Sequence, residues 1–477
     1  MVRIVRWLLC ALICVASVAA QSPSATLQQR LDRLLDDDFY RRAAIGISVY
    51  DLTEQKSLYT YNDKRLCRPA SNMKVLTAAA ALSTLTSDYS FKTGLYYTGE
   101  IDESGRLLGN VYLVAGFDPE LKSADLDVLV SHMKNAGIKS IEGMLYLNAS
   151  MADSVQWGRA WSWDDDMEAF QPYLSPIPLN KGFVRLRVTP SSAGRAPTIR
   201  ADHESSFIQV INRATTVQRS SEPTNNTLNF SRDFIDGRNR IVVSGIIAAT
   251  ANAFERRISL INPYDYVLTI FSEKIMEHFP ESNIRTAGTT SVPSAAQNLG
   301  YATNSIAQVL RNLNKESDNL NGEMLLYAMG RHNGADPTSA EKGIEVVQQY
   351  ISQIGFDPLA YKIVDGSGLS NQNYMTPELM VEVLKDMYQS PYFNLFRQSM
   401  PIAGVDGTLA NRMRNTVATR RVTAKTGSLT GVSALSGYVT ARNGNILAFS
   451  IMVQNFVERT SFVAINYIDR ICVALVE

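Results

Sequence analysis

Arg68-Pro69-Ala70-Ser71-Asn72-Met73-Lys74 runs straight into Val75-Leu76-Thr77-Ala78-Ala79-Ala80-Ala81-Leu82. The second stretch is apolar and helix-forming, and it predicts a buried helix reaching to about Leu85. Residues three apart on a helix share a face, so the Lys74 amine can reach the Ser71 hydroxyl. Pro69 suits the start of a helix, and the positive end of the macrodipole then lies beside Ser71. Burial disfavours a charged amine, so a buried lysine gives up its proton more easily. Together these features describe an activated serine, the nucleophile of an acyl-transfer enzyme.

The rest of the chain gives that serine a large setting. Its 477 residues are enough for about three domains. Hydrophobic residues make up 45 %, so sizeable cores can be buried. Lysine plus arginine equals aspartate plus glutamate, and no basic block appears, which argues against nucleic-acid binding. At the start, Arg3 and Arg6 precede an apolar stretch from Trp7 to Ala16, and Ser17-Val18-Ala19-Ala20 supplies small residues before Gln21. Residues 1–20 are therefore expected to be a secretory signal peptide, too short for a membrane span. The destination would be the periplasm or a wall-facing compartment. Cleavage near Ala20 would leave 44 basic residues against 46 acidic ones. It would also remove Cys10 and Cys14. Cys67 and Cys472 could then pair or stay as separate buried thiols. The four histidines are scattered, and neither His-Glu-x-x-His nor Cys-x-x-Cys occurs, so neither a metal nor another cofactor is expected.

Along the chain, Leu27 to Leu35 reads as an amphipathic helix, and residues 45–50 and 57–61 as a strand pair. The Ser71 helix follows. From Phe91 to about Pro293 short β-rich runs dominate, such as Leu108 to Val114 and Phe183 to Val188, with polar loops such as Ser220 to Asn229. Helical texture returns at Ile306 to Leu313, Leu320 to Met329, Ala340 to Ile354 and Pro377 to Met387. Strands are expected at Arg421 to Ala424, Ala434 to Thr440 and Ile446 to Val453, then a helix from about Val457 to Val476. This is one α/β (α+β) unit, residues 21–92 and 294–477, interrupted at 93–293 by a mostly β insert of two small subdomains.

A lone Ser-x-x-Lys is weak evidence, and Ser131…Lys134 and Ser339…Lys342 repeat it. Ser71 stands out by its company. Ser317-Asp318-Asn319 precedes an apolar helix, and Lys425-Thr426-Gly427 ends the run Arg421-Val422-Thr423-Ala424. A second Lys-Thr-Gly, at Lys92 to Gly94, lies beyond the far end of a helix roughly 22 Å long and is set aside. Gly366-Ser367-Gly368 has the spelling of a nucleophile elbow, but no apolar strand leads into it, so a turn beneath the site is expected.

With Asp365-Gly366-Ser367-Gly368-Leu369-Ser370, Pro401 to Leu409 and Leu435-Ser436-Gly437-Tyr438, these motifs closely resemble the class C, type-4 penicillin-binding proteins of peptidase family S13. The resemblance implies a penicillin-recognising, β-lactamase-like catalytic domain, with an antiparallel sheet flanked by helices. It also implies D-alanyl-D-alanine carboxypeptidase or endopeptidase activity on peptidoglycan stem peptides, and acylation by β-lactams. Peripheral contact with membrane or wall is compatible with it. Ser71 and Ser317 are 246 positions apart, as in a family with extra domains between these elements.

Chemistry and resemblance together give Ser71 as nucleophile and Lys74 as base. Ser317 would relay a proton, and Asn319 would hold both Lys74 and the substrate amide. Lys425 would be a fixed positive charge for the terminal carboxylate, with Thr426 and Gly427 beside it. The backbone N–H groups of Ser71 and Ser428 would form the oxyanion hole. In the insert, Trp161-Ser162-Trp163-Asp164-Asp165, with Phe170, looks like the family's tryptophan-rich segment. Asp165 is its candidate for binding a stem-peptide amine. Two departures appear: Ala115-Gly116-Phe117-Asp118-Pro119 replaces a glycine-rich stretch, and Asn371 stands where many members have arginine. A β-lactamase and a non-catalytic wall-binding protein remain as alternative readings.

Overall fold

The computed structural model describes residues 26–218 and 227–477. The signal-like stretch 1–20, with Cys10 and Cys14, lies outside the described residues, as does most of the polar loop expected at 220–229.

The catalytic unit is built on a five-stranded antiparallel sheet in the order Val422–Leu429, Val432–Thr440, Ile446–Gln454, Ala44–Asp51, Lys56–Tyr61. A two-residue turn, Thr430-Gly431, joins the first two strands, with Gly431 at a positive φ (69°) that glycine adopts without steric cost. The central strands are buried along nearly their whole length. Their side chains alternate between two cores: Ala434 and Tyr438 face one, Leu435 and Val439 the other. On the first face pack Met73–Leu85 and the helices Asn319–His332, Ala340–Gln353 and Pro377–Gln389. On the second lie Leu27–Leu35 and the terminal Ser461–Val476. Met73–Leu85 is covered almost all round, as expected of a helix apolar on every side.

The strand expected to end at Ala424 continues through Lys425-Thr426-Gly427-Ser428 to Leu429, because the whole run pairs with Val432–Thr440. Cys67 and Cys472 are free, buried thiols in different cores.

The insert leaves and returns through adjacent strands. Ser90–Tyr97 and Gln297–Ser305 pair antiparallel, with Ser90 opposite Ser305. Its sheet therefore takes in residues outside the expected limits of 93 and 293. The expected Leu108–Val114 run is two strands, Arg106–Leu108 and Val111–Val114. They part at Gly109, where a Cβ would lie 1.8 Å from the Thr98 carbonyl oxygen. A seven-stranded sheet and two three-stranded sheets share one apolar core with two helices, Ser123–Asn135 and Pro263–His278.

Candidate active site

Ser71 sits in a single 3-10 turn, Ala70–Asn72, directly ahead of the Met73–Leu85 helix, rather than within the helix itself. Two contacts fix this turn. Asn72 Nδ2 donates to Ser436 Oγ at 2.7 Å, and Ser436 donates on to Ser450 at 2.9 Å, pinning the turn to the sheet. Gly427 lets the strand come close, since a Cβ there would lie 2.7 Å from the Pro69 carbonyl oxygen and 3.0 Å from Asn72 N. The glycine of Lys-Thr-Gly is thus a packing requirement for presenting Ser71.

Lys74 is fully buried and its Nζ has three oxygen neighbours: Ser71 Oγ at 3.0 Å, Asn319 Oδ1 at 2.6 Å and the Ser367 carbonyl at 2.6 Å. A neutral amine has two N–H donors and one lone pair. The amide and carbonyl oxygens take the donors, leaving the lone pair for the Ser71 hydroxyl proton. Burial lowers the Lys74 pKa to about 8, with Asp365, Glu323 and Asp318 pulling the other way.

The Ser367 carbonyl is held in place from below. Glu323, itself buried, accepts from the backbone N–H of Gly366 at 3.3 Å and of Ser367 at 2.9 Å. Asp365 accepts from Gly368 N, Ser370 N and Asn373 Nδ2, which closes the turn expected beneath the site. Burial first, then Asp365, raises the Glu323 pKa to about 8.

Ser317 has a left-handed backbone (φ 60°), and Asp318 caps the Asn319–His332 helix by accepting from Asn321 N. Lys425 Nζ donates to Ser317 Oγ at 2.8 Å and to the Thr426 carbonyl at 2.7 Å. Thr426 Oγ1 donates to Thr408 Oγ1 at 2.8 Å. Lys425 is fully buried with no ion-pair partner among the described residues, and burial, reinforced by Lys74, holds its pKa well below the ordinary lysine value. A substrate carboxylate would favour its charged form.

Ser71, Ser317, Asn319, Ser428, Asp165 and Asn371 line one cavity of about 490 Å³. The three distant motifs converge, and Asp165 of the insert joins them. The Asp165 carboxyl is raised above its usual range by burial, then by Asp164 and Glu168. Its loop is clamped: Arg232 Nη2 meets Asp166 Oδ2 at 2.6 Å, and Arg256 grips Glu168 through two bonds of 2.5 and 3.1 Å. The Phe170 carbonyl accepts from Asn319 Nδ2 at 2.7 Å, and Lys181 lies 2.7 Å from Glu120 and 3.1 Å from Asp318. None of these insert contacts has a local signal in the sequence. The departing loop keeps a glycine-like backbone: Phe117 adopts φ 57°, its ring stacked on Tyr327.

The decoys lie elsewhere. Ser131 donates to the Asp127 carbonyl within its helix, Ser339 caps the Ala340–Gln353 helix, and Lys92 belongs to the insert sheet.

Comparisons agree with this geometry. The model of the D-Ala-D-Ala carboxypeptidase 3 (S13) family matches residues 27–473. A D-alanyl-D-alanine carboxypeptidase from Actinomadura sp. (strain R39) is 31 % identical over 445 residues, covering 89 % of this chain and 80 % of the relative. The D-alanyl-D-alanine carboxypeptidase DacB of Haemophilus influenzae is 28 % identical over 420 residues, covering 86 % and 85 %. The crystal structure of penicillin binding protein 4 (dacB) from that organism superposes with a TM-score of 0.79 at 24 % identity, over 93 % of this chain and 97 % of that one. The same protein complexed with a β-lactam gives 0.75 at 24 % identity, over 94 % and 98 %.

Proposed function

The chain belongs to the D-Ala-D-Ala carboxypeptidase 3 (S13) family, and on that footing we propose that it is a serine D-Ala-D-Ala carboxypeptidase and endopeptidase whose nucleophile is Ser71. One observation carries the assignment of residues. The Lys74 amine, buried and lowered toward neutrality, lies 3.0 Å from Ser71 Oγ with its other acceptors already in place.

The reaction follows from those contacts. Ser71 Oγ attacks the carbonyl carbon of the penultimate D-alanine, and its proton passes to Lys74. The backbone N–H groups of Ser71 and Ser428 stabilise the oxyanion. The peptide C–N bond breaks, and the proton that Lys74 took from Ser71 passes by way of Ser317 to the departing amine, so that Lys74 is neutral again; Lys425 donates to Ser317 Oγ and holds it. Lys425, as a positive charge, and Thr426, as a hydroxyl beside it, anchor the substrate's terminal carboxylate. Water then hydrolyses the Ser71 ester. Asp165 faces the same cavity and suits a cationic amine on the stem peptide. Asn371, also on that cavity, offers an amide where a second carboxylate would have met a cation.

β-Lactams present a strained cyclic amide to the same serine, and the β-lactam complex of the Haemophilus influenzae protein supports this reading. A substrate in peptidoglycan puts the chain outside the cytoplasm, in the periplasm or facing the wall. Residues 1–20 would be its export signal. Among the described residues no helix is long and apolar enough to cross a membrane.

The test is direct. Peptide mapping by mass spectrometry after penicillin treatment should place the adduct on Ser71, and the protein should release D-alanine from pentapeptides. An adduct elsewhere, or none on folded protein, overturns the assignment. Rapid turnover of the penicillin adduct would point to a β-lactamase.

A further inference from the structure

The chain's balanced charge hides a local excess. Residues 183–259 contain eleven arginines, no lysine and six carboxylates. The fold gathers four of those arginines on one surface. In the three-stranded sheet Phe254–Ser259, Phe183–Thr189, Thr198–Ala201, the residues Val184, Leu186 and Val188 point into the insert core. Arg185, Arg187, Arg200 and Arg257 occupy the opposite face. The register sets Arg257 opposite Arg185, and Arg187 between Arg200 on one side and Glu255 on the other. Like charges directly opposed destabilise a sheet unless an anion lies between them.

The counter-charge on the protein falls short. Glu255 lies 3.5 Å from Arg185 and 3.7 Å from Arg187. The Arg185 Nε facing Glu255 nevertheless forms no hydrogen bond. Asp202 accepts from the Arg185 backbone N–H and is paired with His203 at 2.9 Å. Among the described residues no carboxylate comes within ion-pair distance of Arg200 or Arg257.

This face is continuous with the active site. Arg257, its guanidinium 5.6 Å above the Phe183 ring, lines a cavity of about 180 Å³ together with Lys181. Phe170, Ser317 and Asn319 line both that cavity and the one holding Ser71. In the proposed reaction Ser317 protonates the departing amine, and it lines both cavities, so the leaving half of a substrate has a path toward Arg257.

We propose that the outer face of this sheet, entered through Arg257, is a docking surface for the second stem peptide of cross-linked peptidoglycan, whose free carboxylates the arginines take. This rests on the peptidase reading above and deepens it, because such a surface favours a cross-link over a free pentapeptide. A free pentapeptide releases one alanine and has nothing to lay across the sheet. A cross-linked dimer releases a whole peptide bearing several carboxylates.

The test compares kcat/KM on purified cross-linked muropeptide dimers and on a short D-Ala-D-Ala tripeptide. It uses the full-length protein and its Arg187→Glu/Arg200→Glu variant, with Arg187→Ser/Arg200→Ser as a milder form. Both positions are exposed and outside the cavities. The rate of labelling by fluorescent penicillin reports whether each variant is folded. Charge reversal is expected to lower dimer cleavage about tenfold at low ionic strength. Tripeptide hydrolysis and labelling should stay within about twofold, since neither reaches the sheet. The wild-type preference for dimers should fade in high salt and with amidated dimers.

Equal losses on both substrates, or no loss on either, would overturn the proposal. So would arginine-dependent binding to phosphatidylglycerol vesicles with dimer cleavage untouched, which would make the face a membrane contact. If the wild-type protein retains dimers through these arginines yet cleaves no D-Ala-D-Ala bond, the docking surface stands and the peptidase reading fails.

Discussion

The indole Nε1 of Trp161 donates to Asp365 Oδ2 at 3.1 Å, so an insert residue ends on the carboxylate that shapes the turn under Lys74. Both groups are buried. Trp161→Phe removes only this donor and leaves a buried carboxylate oxygen with one partner fewer. It should cost about 1–3 kcal/mol in urea unfolding and slow penicillin acylation. An unchanged acylation rate in the destabilised protein would mean that the insert supports the site without tuning it.

The Lys74 pKa of about 8 sets the pH profile of acylation. Below that value the amine carries a proton and cannot accept one from Ser71. The rate constant should therefore fall about tenfold per pH unit on the acid side and level off above about 8. Stopped-flow acylation by a chromogenic β-lactam from pH 5 to 10 measures this limb. A limb absent over that range would rule out Lys74 as the base.

Glu323 holds the Ser367 carbonyl toward Lys74 Nζ, and its charged form, which dominates only above its own pKa of about 8, raises the Lys74 pKa. Glu323→Gln keeps an oxygen acceptor and removes the charge. The acid limb should move only slightly to lower pH in the variant, because Glu323 is only partly ionised there, with a folded protein and a modest change in plateau rate. A limb moving upward would contradict the electrostatic role.

Gly427→Ala puts a methyl group 2.7 Å from the Pro69 carbonyl oxygen, against backbone that cannot yield without moving the Ser71 turn. Acylation should drop about 100-fold, since a shift of about 1 Å in a reacting group costs that much. Thermal unfolding should shift far less. Near-normal acylation would show that the strand can back away from Ser71 at no catalytic cost.

Lys425 without a carboxylate is a buried amine pressed toward neutrality. Lys425→Gln should lower kcat/KM for peptides with a free terminal carboxylate by about 100-fold. The same variant should differ far less from wild type on peptides amidated at that end. Equal losses on both substrates would assign Lys425 to Ser317 alone.

The residues visible in the sequence are those whose chemistry is carried by short spacing. Ser71 and Lys74 lie one helical turn apart, and Ser317 and Asn319 flank the cap of a helix, so a local string reveals them. The supporting shell is different. Glu323 meets Ser367, Trp161 meets Asp365, and Lys181 meets Glu120 and Asp318 only after distant segments fold together. Among the elements, the insert helix Pro263–His278 is hidden by Tyr264, Tyr266, Val267, Thr269, Ile270 and Phe271, residue types that favour strands. What makes it a helix is its start, with Asn262 accepting from Asp265 N and Pro263 in the first turn. The extent of Val422–Leu429 was obscured for a related reason. Lys-Thr-Gly-Ser reads as a polar turn, yet pairing with Val432–Thr440 supplies the order its own residues lack.

The bond from Asn319 Nδ2 to the Phe170 carbonyl has a temporal meaning. Asn319 cannot be fully seated until the loop from the insert has arrived, even if the five-stranded sheet is already complete. Reactivity toward penicillin therefore depends on the insert being docked, and a chain with only its five-stranded sheet in place should stay chemically silent.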